Sequence, residues 1–304
     1  MNENKMGIPV KGIAPFLFIL PILIGTGIFS FSCFLYVIRL SFLESNLFGS
    51  SAFIGLKNYY YLLFESEYFY VALIHTLYYA LCSVPLNLFV GLSLGFAMYS
   101  KIKYGSFFRF VYLIPWVSSG VIVALIFKYA FSPHWGIVNW LLGNLGFEEI
   151  RWFKQAETTI PIAATMGAWQ TMGLGMIIFL GAINSIPKNL SEAASLEGAS
   201  TLQIIRYIIL PLIKPTIFFY LVFCFINAFQ VFNVIYIFMQ GVVGPDDAMG
   251  LRGATLTSAY FTYILAFRGS QFGRASATAI LMFLIMLSAL LIQRRFIGRK
   301  ITPL

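Results

Sequence analysis

Six strongly apolar stretches, free of Asp, Glu, Lys and Arg, succeed one another along the chain: Gly12–Ile38, Tyr68–Ser100, Phe110–Phe127, Thr158–Pro187, Pro215–Gly244 and Ala275–Gln293. The second contains one histidine, His75, and the apolar pair Phe107-Phe108 leads into the third. About 20 apolar residues in a helix cross the hydrocarbon core of a bilayer, so each stretch is long enough to span it. In lipid a lone segment satisfies its backbone hydrogen bonds only as a helix. The pattern therefore predicts an all-α membrane protein with six transmembrane helices and both termini on one side. The predicted organisation is a polar tail over 1–11, one membrane domain over 12–293 and a second tail over 294–304.

Composition agrees with lipid as the solvent. Hydrophobic residues make up 60% of the 304 and charged residues 10%, against about a quarter charged in soluble domains. The net charge of +9 follows from basic residues clustered between spans, which sets orientation rather than nucleic-acid binding. Twelve cations (Lys5, Lys11, Lys101, Lys103, Arg109, Lys188, Arg206, Lys214, Arg294, Arg295, Arg299 and Lys300) fall on one side. Eight fall on the other, together with eight of the eleven acids. The positive-inside rule makes the first side cytoplasmic and places both termini there. The first span is too long for a signal-peptide core and reads as a retained helix.

Candidate chemistry is sparse. Cys33, Cys82 and Cys224 lie inside apolar spans and read as packing residues. His75 and His134 stand alone, and there is no HExxH, GxSxG or phosphate-binding GxxxxGK[ST] sequence. No enzyme activity and no cofactor are expected of this chain. Pro21, Pro85 and Pro115 lie within spans and are expected to kink them.

The cytoplasmic segment between the fourth and fifth spans, about 186–211, has the most distinctive pattern. Asn189 or Ser191 suits a helix cap, with Glu192 in the first turn. Ala193, Ala194, Leu196 and Ala199 offer a low-profile apolar surface, and Gly198 permits a turn or a close backbone approach. A second short helix is expected over about Thr201–Leu210, with Ile204, Ile205 and Ile208 on one face, and Pro211 opening the fifth span. Such a segment is either an amphipathic connector on the membrane surface or a docking element for a partner.

The run Glu192-Ala193-Ala194-Ser195-Leu196-Glu197-Gly198-Ala199, followed by Ile208-Ile209-Leu210-Pro211, closely resembles the EAA loop of bacterial ABC importer permeases. That pattern reads E-A-A-x-x-D-G-A and then I-x-L-P, and Glu197 stands where Asp is usual. Phe53-Ile54-Gly55-Leu56-Lys57-Asn58-Tyr59 resembles the F-x-G-L-x-N-Y segment of carbohydrate-type permeases. Phe272-Gly273-Arg274-Ala275-Ser276-Ala277 resembles the start of their last helix. Gly244-Pro245 with Thr255, Tyr260, Tyr263 and Phe267 resembles their GGP…T…Y…F segment, with Val243 for the first Gly and an insertion over Asp246–Gly253.

The resemblance implies the type I ABC importer permease fold in a bacterial cytoplasmic membrane. It implies that Glu192, Ala193, Ala194, Glu197, Gly198, Ala199, Leu210 and Pro211 dock on a cytoplasmic ATPase. The implied partners are a second, different permease, two ATPase subunits that bind ATP and Mg, and an extracytoplasmic sugar-binding protein. The implied cargo is a sugar or oligosaccharide, with glycerol phosphates and other polyols carried by relatives in that branch.

For a substrate path, Asn227, Gln230 and Asn233 recur at three-residue steps in the fifth span, interleaved with Phe229, Phe232 and Tyr236. On one continuous helix they cover about 120° of its circumference. Amides beside aromatic faces suit a sugar, and they also suit interhelical hydrogen bonding. Trp169 and Gln170 in the fourth span are further candidates. A self-contained secondary transporter is the alternative, but no charged residue lies deep in a span to relay protons or sodium.

Overall fold

The computed structural model of the chain describes residues 14–45, 51–99, 103–240 and 255–297. The N-terminal tail with Lys5 and Lys11, Lys101, the Val243–Gly253 segment including Arg252, and Arg299 and Lys300 lie outside the described residues.

The first span runs through α1 (Ala14–Gly25), a π-helical segment (Thr26–Phe31) and α2 (Ser32–Ser41). A small antiparallel hairpin follows, β1 (Leu43–Ser45) with β2 (Ser51–Phe53), in which Leu43 faces Phe53. Then come α3 (Lys57–Tyr60), α4 (Glu67–Tyr99), α5 (Gly105–Val117), α6 (Gly120–Ala130), α7 (Ile137–Asn144) and α8 (Ala156–Asn184). The remainder comprises α9 (Lys188–Leu196), α10 (Thr201–Ile204), α11 (Leu210–Leu212), α12 (Lys214–Phe229), α13 (Asn233–Met239), α14 (Ser258–Tyr263) and α15 (Phe272–Ile297). Among the described residues there are six membrane-length apolar spans when α5 and α6 are counted as one.

The third span bends far more than the kink expected at Pro115: α5 and α6 meet at 93°. Ser118 and Ser119 are extended, with ψ of 147° and 127°. The Ser118 backbone N–H still reaches the Ile114 carbonyl at 3.1 Å, and its hydroxyl donates to the same carbonyl at 2.8 Å. Pro115, in the last turn of α5, removes one backbone donor from the helix just before the corner. Apolar composition persists through the corner, so charge spacing does not reveal it.

The fifth span also breaks. α12 ends at Phe229, and α13 begins at Asn233 after a short non-helical link. The Val231 carbonyl freed by the break accepts the Thr257 hydroxyl at 3.1 Å. Lys128, at the end of α6, donates to the carbonyls of Ile237 (2.7 Å) and Gln240 at the end of α13. A cation at a helix C-terminus also suits the helix dipole.

The core is centred on α4 and α8, which meet through small residues. A methyl group on Gly91 would stand 3.1 Å from the Gly175 Cα, and one on Gly95 would stand 2.7 Å from the Phe179 Cβ. Gly91 and Gly95 are four apart, the small-xxx-small spacing that lets membrane helices approach closely. The Thr171 hydroxyl bonds Asn87 Oδ1 across the same seam.

The segment after residue 254 folds back into this core, with Leu256, Tyr260, Phe261 and Ile264 all buried. His75 Nδ1–H donates to the Leu256 carbonyl at 2.9 Å. The Ser258 backbone N–H donates to the Thr76 hydroxyl at 2.8 Å. His75 is therefore a positioning contact for this returning segment.

Two of the motif segments meet at the hairpin. Asn58, only 4% exposed, donates to the carbonyls of Ser41 (2.9 Å) and Leu43 (3.0 Å). Gly273 abuts both the Leu43 carbonyl and Asn58, and a Cβ there would lie 2.9 Å from the Asn58 amide nitrogen. The Arg274 guanidinium lies over the Tyr61 ring, 3.7 Å from its centroid.

Candidate functional site

α9 begins earlier than expected. Pro187 occupies the cap position, and neither Asn189 nor Ser191 caps the helix. Proline's fixed φ suits a helix entry, so the first turn is Lys188–Ser191 and Glu192 stands in the second turn with its side chain exposed. The helix stops where expected. Gly198 adopts φ +89°, its N–H donates to the Ser195 carbonyl at 3.1 Å, and the Ala199 N–H donates to the Ala194 carbonyl at 3.0 Å. This pair of bonds is the Schellman termination, which requires a left-handed residue at that point. No atom within 4 Å would meet a Cβ on Gly198, so within this chain the glycine supplies the turn and not a close approach.

A new helix starts two residues later. Ser200 caps it through a reciprocal box: the Gln203 N–H donates to the Ser200 hydroxyl, and the Ser200 N–H donates to Gln203 Oε1 at 2.7 Å. The helical run then passes through the π segment Ile205–Ile209 to α11. Ile209 is the buried residue of this run, packed with Ile213, Phe179, Ile183, Tyr220 and Cys224. Ile204 and Ile205 lie against that cluster. Ile208 instead lines a shallow pocket with Ala194, Glu197, Gly198, Ala199 and Tyr207. Pro211 sits in α11, and the long helix of the fifth span opens at Lys214 rather than at Pro211.

The loop is thus two capped helices fixed at one end to the core through Ile209 and Ile213. Away from that root it leaves three large apolar side chains uncovered among polar ones: Leu196 is 91% exposed, and Leu202 and Tyr207 are about two-thirds exposed or more. Leu202 and Tyr207 carry no signal in the sequence that sets them apart.

The substrate-path candidates of the fifth span do not form one helical stripe. Asn227, Gln230 and Asn233 are exposed, but they straddle the α12–α13 break, so the 120° sector of one continuous helix does not exist. Asn227 donates to the Phe223 carbonyl at 2.8 Å. Gln230 lines a cavity of about 400 Å³ with Phe229, Ser258, Thr262 and Met282. Phe232 stacks on Tyr236 (5.3 Å) and packs with Tyr260 and Tyr263. On α8, Trp169 is 40% exposed and lies against Phe127 at 5.9 Å. Gln170 donates to the Ser118 carbonyl at 3.4 Å, and Gly120 leaves room for it. Gln170 therefore braces the corner of the third span.

Residues 87–302 match the family described as binding-protein-dependent transport system inner membrane component. The chain is 32% identical over 300 residues to the probable ABC transporter permease protein YurN of Bacillus subtilis, covering 97% of each protein. It is 29% identical to the arabinooligosaccharides transport system permease protein AraP of the same organism (95% of this chain, 90% of that one). It is 30% identical to the sn-glycerol-3-phosphate transport system permease protein UgpA of Yersinia pestis (99% of each). In three dimensions it superposes on a chain of a bacterial ABC transporter that imports the acidic polysaccharide alginate, with a TM-score of 0.76 and 26% identity, covering 95% and 96% of the two chains.

Proposed function

The chain belongs to the family of binding-protein-dependent transport system inner membrane components, and on that basis we propose that it forms half of the translocation path of an ATP-driven importer for a sugar or oligosaccharide. It is a multi-pass membrane protein and a permease component, so ATP hydrolysis falls to other subunits. Its complement in this reading is a second, different permease, two ATPase subunits carrying ATP and Mg, and an extracytoplasmic sugar-binding protein. The membrane is the bacterial cytoplasmic membrane, with both termini inside.

The observation that carries the coupling role is the capped loop over Lys188–Leu212. It is rigid through its own hydrogen bonds, rooted in the core at Ile209 and Ile213, and leaves Leu196, Leu202 and Tyr207 uncovered on its outer surface. Large apolar side chains with no cover inside the chain fit a protein partner. Glu192 and Glu197 add exposed carboxylates that suit an Arg on that partner. Single cysteines at Ser195 and Ser270, on a background lacking Cys33, Cys82 and Cys224, should label from opposite sides of the membrane. The Ser195 cysteine should also crosslink to the ATPase. Labelling of Ser195 by an impermeant reagent in intact cells would reject the topology, and a surface connector lying on lipid would give no crosslink.

The break in the fifth span is the proposed lining of the path, through Asn227, Gln230, Phe232 and Asn233, with Trp169 as a candidate on the facing helix. Alanine at any one of the amides is expected to lower uptake per assembled complex in a graded way, since one hydrogen bond contributes about 0.5–1.5 kcal/mol net. Reduced yield of complex with normal uptake per complex would assign these amides to helix packing instead.

A further inference from the structure

A further cavity, of about 470 Å³ and walled mostly by apolar surface, lies between the end of α6, the segment after α7 and the end of α13. Three cations line it, Lys128, Arg151 and Lys154, and among the described residues no acid does. The nearby acid Glu149 is paired with His134 at 3.2 Å. Three positive charges around one cavity repel one another unless an anion joins them, so such a grouping is an electrostatic invitation to a negative ligand.

The site is built rather than incidental. Lys128 is half-buried, and two of its three N–H donors are committed to the carbonyls of Ile237 and Gln240, which fixes the ammonium in place. The segment carrying Arg151 and Lys154 is organised around the buried Asn139. Its amide donates to the Pro133 and Ile150 carbonyls at 3.0 and 2.9 Å and its oxygen accepts Trp152 Nε1–H at 2.8 Å. Phe153, between the two cations, is buried against Phe238 with ring centroids 4.6 Å apart. The Lys154 N–H closes a turn on the Arg151 carbonyl at 3.1 Å. Arg151 and Lys154 therefore project from a pinned turn while their own side chains stay exposed.

We propose that this cavity is an oxyanion subsite for a charged sugar unit, one bearing a carboxylate, sulfonate or phosphate. The proposal rests on the importer reading, in which this end of the bundle faces outward. The volume accommodates a single sugar ring, whereas a salt bridge to a protein side chain needs only a flat patch. Tyr129 supplies exposed ring surface beside the cations, as a sugar with one apolar face and one anionic group requires. Gln240 in the wall is one helical turn beyond Tyr236, which stacks on Phe232 at the fifth-span break. The subsite thus adjoins the outer end of the proposed path. Guanidinium and ammonium groups bind such oxyanions through charge-assisted hydrogen bonds.

The test uses the assembled complex in nanodiscs of phosphatidylcholine, with glucuronate and glucose as probes and Trp fluorescence or calorimetry as readout. Glucuronate should bind saturably and weaken with added salt, and the R151Q/K154Q variant should bind it about tenfold or more less tightly. Glucose should respond to neither change, and Arg151→Lys should recover part of the affinity for glucuronate. Equal behaviour of the two sugars would overturn the subsite. So would loss of glucuronate binding when phosphatidylglycerol replaces the neutral lipid, because a headgroup would then own the site. A variant that loses only its affinity for the binding protein would also overturn it. ATP hydrolysis by the same preparations keeps the two readings apart: its absence in the unmodified complex counts against the importer, while its retention in the variant shows that a lost glucuronate signal is not lost assembly.

Discussion

Gly198→Val is expected to lose most ATP-driven uptake while Gly198→Asn keeps it. The reason is the backbone angle of +89° at this residue, which a β-branched side chain reaches only with strain of about 1–3 kcal/mol. Strain of that size shifts the equilibrium away from the native turn by roughly 5- to 150-fold. The alternative is a different end to α9, in which the Ala199-to-Ala194 bond is lost and Leu196 points elsewhere. Asparagine tolerates left-handed angles, and space at this position is open, so it preserves the turn. Gly198→Ala should fall between the two. If asparagine fails as badly as valine, the glycine serves close contact with the ATPase and not the turn. Glu192→Ala in the same assay removes a charge from an exposed position without altering the loop, and a normal uptake rate for it would remove Glu192 from the coupling role.

Gly175→Leu is expected to abolish recovery of a folded complex, while Gly181→Leu on the same helix is tolerated. A Cβ at Gly175 would stand 2.6 Å from the Tyr220 hydroxyl and 2.9 Å from the Gly91 Cα, and nothing lies within 4 Å of one at Gly181. Overpacking a fitted core costs about 1–3 kcal/mol when side chains can adjust. Here the obstacle at Gly91 is backbone, so α4 and α8 must separate along their shared seam. Size-exclusion recovery of the two variants after a heating series is the measurement. Comparable recovery would mean that the two helices do not pack as described.

The six spans could be read directly because lipid exposure demands an unbroken apolar run, which is visible one residue at a time. The end of α9 was equally legible, because a left-handed turn leaves a glycine behind. The corners were legible only in part: Pro115 marked the third span for a kink, not for a 93° turn. Ser118-Ser119 and Gln230–Phe232 change the direction or continuity of a helix without adding charge, and partners far along the chain hold them: Gln170 for the first and Thr257 for the second. The start of α9 was misplaced because Ser191 and Asn189 are good caps in isolation, while Pro187 had already set the entry. For the candidate path, three amides at regular steps imitate a helical stripe, and only the break shows that they do not form one. His75 looked solitary because its partner, the Leu256 carbonyl, lies 181 residues downstream.

That long separation has a consequence for biosynthesis. The chain emerges N-terminal end first, so α4 enters the bilayer well before the ribosome has made its partners. Thr76 can wait, because its hydroxyl already donates to the Ala72 carbonyl at 2.7 Å within its own helix. His75 Nδ1–H acquires its carbonyl only after Leu256 has been translated, and only the sixth span then remains to be inserted. The bundle is therefore closed by its returning segment only after the first five spans have been made, and a nascent chain halted before that point holds its spans without the strap that locks them.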